Sequence, residues 1–142
     1  MATELKKKIN VALTIIFWIL VTAVIITAAH VTLHLSKVAA VLVNLPLPGA
    51  FALFFVPFFC AFVLPFVANI EEVKVTIISA MLAGFIAIAL IALVFYTPEL
   101  LGFAEPTPDY SALVIKDMLV SALGILPGVV VGSTLGGAFA TP

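Results

Sequence analysis

An all-α, polytopic membrane protein with four transmembrane helices plus one interfacial helical segment, near His30 to Asn44, is the fold class this sequence predicts, and three observations predict it. Apolar residues make up 65% of the 142 and charged residues only 9%, where a soluble domain carries about a quarter charged. Mean hydropathy is +1.39. Four uncharged runs, at about 9–29, 50–69, 75–96 and 118–140, each approach the roughly 20 residues that cross a hydrocarbon core as a helix. Together they occupy most of the chain, so 1–142 is expected to be a single transmembrane helical domain.

The first run, Ile9 to Ala29, follows Lys6, Lys7 and Lys8. Lysines in that position reach the headgroups and fix orientation. Thr27-Ala28-Ala29 gives the run the outline of a weak signal peptide, but it is read as a retained first span with Trp18 at mid-bilayer.

His30 to Asn44 carries most of the polarity of the first half, with Thr27, His30, His34, Lys37 and Asn44 along one narrow helical face. Two readings fit it: a separate helix lying in the membrane interface, or a long, tilted continuation of the first span. Leu45-Pro46-Leu47-Pro48-Gly49 ends it, since a residue before proline is pushed out of the helical region.

The second span is crowded with Phe51, Phe54, Phe55, Phe58, Phe59, Phe62 and Phe66, and carries Pro57 and Pro65 inside it. Each proline deletes a backbone hydrogen bond, and a bent helix is expected. Cys60 has no second cysteine with which to pair, so it is read as a small buried hydrophobe.

After the polar turn of Glu71, Glu72 and Lys74, the third span presents Ala80, Ala83, Gly84 and Ala87 as a small-residue face, and Tyr96 closes it at headgroup level. Thr97 to Tyr110, with three prolines and three acids, is expected to be a solvated loop, with Ser111 capping the last helix. Lys116 and Asp117 are expected at the interface.

The last span holds the strongest pattern. Gly124, Gly128, Gly132 and Gly136 recur every fourth residue, and Ala140 continues the row. Interior glycine costs a helix about 1 kcal/mol against alanine. Inside a bilayer the same bare stripe lets another backbone approach until dispersion and Cα–H···O contacts become appreciable. A glycine zipper is therefore expected, with the small-residue face of the third span as its natural partner. Pro127 interrupts this span beside Gly128 and is read as a further helix bend, with Ser121, Ser133 and Thr134 available to line a polar path.

Lysine placement puts both termini in the cytoplasm, with Lys6, Lys7, Lys8 and Lys74 inside against Lys37 and Lys116 outside. A net charge of −1 without arginine argues against a nucleic-acid partner.

His30 and His34, four residues apart, have the spacing that can hold a transition metal, and one histidine on a membrane helix can ligate haem. The H-E-x-x-H pattern is absent, because Val31 stands where the base would be. Interfacial histidines without a ligand are the expectation, and no cofactor is assigned. Nothing resembles a nucleophile elbow or a phosphate loop, so the chain is read as a non-enzyme.

Three classes of function remain: an oligomeric transport or channel-type protein or membrane subunit of a larger complex, a purely structural subunit of a membrane or lipid-containing assembly, and a redox subunit using His30 or His34. The expected partners are the lipid bilayer and either further copies of the chain or other membrane subunits, because one small bundle has little interior in which to build a site.

Overall fold

The computed structural model describes residues 1–43, 49–103, 105 and 108–142, without the side chains of 33–43, 49–52 and 110. It is all-α, as the sequence predicts. The helices are α1 (Ala2–Val43), α2 (Gly49–Ala68), α3 (Val73–Leu100) and α4 (Pro108–Ala140). Three carry stretches long and apolar enough to cross a bilayer, Ala2–Thr32, Val73–Leu100 and Ser111–Ala140, and α2 contributes a fourth, shorter apolar stretch, Leu53–Ala68.

α1 runs without a break through residue 43. Residues 30–43 therefore prolong the first span, and the expected separate interfacial helix is corrected: the alternative reading of that segment, a continuation of the first span, is the one seen. The Pro46–Pro48 linker lies outside the described residues.

Local chemistry fixes the two described turns. α2 ends where Asn69 takes a left-handed conformation (φ 51°) and the Ile70 amide donates to the Pro65 carbonyl at 3.0 Å. This is the six-to-one bond of a Schellman cap. Ile70 is buried beside it. α3 ends in the same way: Gly102 is left-handed (φ 74°), its amide donates to Glu99 at 3.1 Å and the Phe103 amide to Pro98 at 2.9 Å.

Two boundaries differ from the expectation for 97–110. α3 continues through Thr97 and Pro98 to Leu100, and α4 starts at Pro108. Pro108 stands at the first helical position, where a missing amide proton costs nothing and the fixed φ suits the helix. Ser111 is therefore inside the first turn and does not cap it.

Around the bundle the neighbours follow the order α1, α2, α4, α3, and α2 against α4 is the most extensive interface. The centre is filled by Ala23 of α1, Ala80, Ala83, Ala87 and Ile91 of α3, and Ile125 and Val129 of α4, all essentially inaccessible. The outer faces remain apolar, with Phe17, Leu20, Phe59, Leu82, Phe85 and Leu135 among the exposed side chains. Apolar residues on the outside as well as in the core suit lipid as the surrounding solvent.

The glycine row lies inside the bundle, but its partner is α2 and not α3. A Cβ built on Gly128 would lie 2.6 Å from the Phe54 carbonyl oxygen, and one on Gly124 would lie 2.9 Å from Leu53 Cβ. At Gly132 and Gly136 it would overlap the carbonyl oxygens of Phe58 and Phe62. The pairs ascend together along both helices, so α2 and α4 run parallel. Three successive carbonyls at four-residue steps face the α-carbons of three glycines, the arrangement in which Cα–H···O contacts form. Pro57 contributes to the seam, since its Cβ would meet an added Cβ on Gly128 at 3.2 Å.

The small-residue face of α3 serves other neighbours. Gly84 faces Val129, Ile125 and Leu126 of α4, and the Ala87 carbonyl accepts from Thr27 of α1 at 3.4 Å. The expectation that the small-residue face of the third span would partner the glycine row is thus corrected: α4 reserves its bare stripe for α2 and turns an adjacent face, with Ile125 and Val129, to α3. Pro57, Pro65 and Pro127 all sit within continuous helices.

Candidate functional site: a polar cluster at one end of the bundle

α4 brings Asp117 and Ser121 to one face through their four-residue spacing, and α1 brings His30 to meet them. His30 Nε2 lies 3.1 Å from Ser121 Oγ and 3.4 Å from Asp117 Oδ2. From α3, Phe95 sets its ring at 75° to the imidazole, with centroids 6.3 Å apart. His30 is 6% exposed and Ser121 fully buried, whereas Asp117 keeps 28% of its side-chain surface accessible.

The hydroxyl determines how the protons are arranged. Ser121 Oγ donates to the carbonyl of Asp117 at 2.6 Å, which leaves its lone pairs to accept. His30 Nε2 therefore carries a proton, donated to Ser121 Oγ and shared with Asp117 Oδ2. A nucleophilic triad needs serine on one ring nitrogen and the carboxylate on the other. Here both approach the same nitrogen, and the serine proton is already held by a carbonyl. The arrangement is suited to fastening and does not activate a nucleophile. It ties together α1 and α4, the pair that otherwise meets least.

Depth follows from helix rise. Between Asn10 and His30 the axis advances about 30 Å, one hydrocarbon thickness. At the opposite end Thr141 donates to the Glu71 carbonyl at 3.3 Å, and the distance from there up to Ser121 is again about 30 Å. The cluster is thus about one hydrocarbon thickness from the end of the bundle that holds Asn10 and Thr141, with His30 and Ser121 buried among the helices and Asp117 at their edge. Comparison with family models, with curated proteins and with solved structures finds no match to this chain.

The residues singled out from sequence fall as follows. His30 is in the cluster, and the side chain of His34 lies outside the described residues. Among the described residues no three metal-ligating side chains come together, and His30 Nε2 is directed at Ser121 and Asp117. Ser133 is buried and donates to the Val130 carbonyl at 3.1 Å; Thr134 faces outward and donates to the same carbonyl at 2.7 Å. With Ser121 bonded as described, these three hydroxyls do not form one continuous lining. A small cavity of about 10 Å³ adjoins His30, between Ala29, Val56, Pro57 and Ile125, at the lower limit for holding one water molecule.

Proposed function

We propose that this chain is a non-catalytic, multi-pass membrane subunit that works within a larger assembly, its termini on the cytoplasmic side with Lys6, Lys7, Lys8 and Lys74. The supporting observation is the closed centre. Ala80, Ala83, Ala87, Ile91, Ile125 and Val129 occupy the axis of the bundle with next to no accessible surface, and Ser121 and Ser133 spend their hydroxyl protons on carbonyls of their own helix. A path for ions or solutes would have to run between chains. A bundle closed in this way then acts through what it contacts in the membrane, as one component of a complex.

The mass of the native complex in mild detergent tests this reading. A particle well above 15.0 kDa, containing a second polypeptide at a fixed ratio, supports it. A homo-oligomer that carries a selective flux in liposomes supports the transport reading in its place, and a lone monomer contradicts both.

A further inference from the structure

The seam between α1 and α2 has two parts, one directly below the other. At the end of the bundle that holds the N-terminus, a crevice of about 380 Å³ is lined by Lys6, Lys7 and Asn10 of α1, by Ala68 of α2 and by Asn69 in the turn after it, closing at Thr14. One helical turn further along, an apolar groove of about 300 Å³ opens between Trp18, Thr22 and Ile25 on one side and Phe59, Val63 and Val67 on the other. Positions 7, 10, 14, 18, 22 and 25 share one face of α1, so crevice and groove follow one another along the same seam.

From this geometry we infer that the seam is a site for one anionic phospholipid of the leaflet facing the N-terminus, with its phosphate at Lys6 and Lys7 and an acyl chain in the groove. Three features select that occupant. The crevice contains two cations and, among the described residues, no carboxylate; Glu4 is directed instead to Lys8, 4.0 Å away. Asn10 and Asn69 add amide donors suited to phosphate or glycerol oxygens. The groove begins at Trp18, about 12 Å below Asn10, within the roughly 15 Å that one leaflet's hydrocarbon occupies. A zwitterionic headgroup would bring its own cation toward the lysines, which disfavours it. This inference does not depend on the subunit reading.

Native mass spectrometry of the full chain in mild detergent tests it, with phosphatidylglycerol, phosphatidylcholine of identical acyl chains, and soluble glycerol phosphate as probes. The expected result is one retained phosphatidylglycerol per chain, preferred over phosphatidylcholine, with roughly fivefold of affinity lost for each lysine removed. In Lys6→Gln/Lys7→Gln the preference should vanish while the melting temperature in lipid-free detergent is unchanged, since both side chains are exposed. Val63→Trp, which fills the groove from an exposed position, should weaken both lipids. Equal retention of the two lipids by the unaltered protein, a preference that survives removal of both lysines, or displacement by glycerol phosphate as effective as by phosphatidylglycerol would each overturn the proposal.

Discussion

The carbonyl of Phe58 occupies the space that a side chain on Gly132 would need: an added Cβ there would also lie 3.0 Å from Phe58 Cα. Because the obstacle is backbone, no rotamer change relieves it. The same relation holds one turn on, between Gly136 and Phe62. Each interior glycine weakens α4 as an isolated helix, and close approach to α2 offsets that loss.

Gly132→Leu should therefore force the two helices apart. A cost of about 3 kcal/mol or more is expected, against about 1 kcal/mol for Phe54→Leu, which keeps an apolar side chain at a partly accessible site. Reversible unfolding in mixed micelles measures both. Equal tolerance of the two substitutions would count against the packing described.

Ser121→Ala removes the hydroxyl that accepts from His30 and donates to Asp117. Side-chain hydrogen bonds in membrane bundles average about 0.6 kcal/mol and reach about 1.7, and a cost in the upper part of that range is expected here because three groups share the contact. A double-mutant cycle of His30→Ala with Ser121→Ala should show coupling of at least about 0.5 kcal/mol. Additive losses would mean that the two side chains do not interact in the membrane.

At the turns, conformation alone sets the outcome. Gly102 is left-handed with nothing within 4 Å of a Cβ placed on it, so Gly102→Ala should cost about 1 kcal/mol through backbone strain only. Asn69→Gly should be neutral or slightly stabilising, whereas Asn69→Val should cost about 1–2 kcal/mol, as a β-branched residue resists positive φ. Thermal melts of the three variants would rank them; a tolerated valine at 69 would mean that the Schellman turn is not retained.

These features were unequally legible in the sequence. The helical class follows from four uncharged runs in a chain with few charges, and periodicity alone marks Gly124 to Gly136 as a contact face. Periodicity gives the face of one helix and not the identity of its neighbour, so Ala80, Ala83, Gly84 and Ala87 looked like the matching surface when they in fact fill the bundle centre. The carbonyls of Phe54, Phe58 and Phe62 are what the glycines meet, and a Phe-rich sequence conceals how close its backbone can come. Prolines misled at 98 and 108, where one lies in the last turn of a helix and the other opens the next. The polar cluster joins residues 87 and 91 positions apart in the chain. The four-residue step from Asp117 to Ser121 was a usable signal, but nothing local to it points to His30.

Contact between the glycine row and α2 within a single chain is the claim on which the architecture rests, and magnetic resonance in micelles tests it most directly. The structure predicts cross-peaks from the α-protons of Gly132 to that of Phe58, and from those of Gly136 to that of Phe62, that keep their intensity when labelled protein is diluted into unlabelled protein. Absence of these cross-peaks, or their loss on dilution, would place the row against lipid or against another chain and would contradict the fold described.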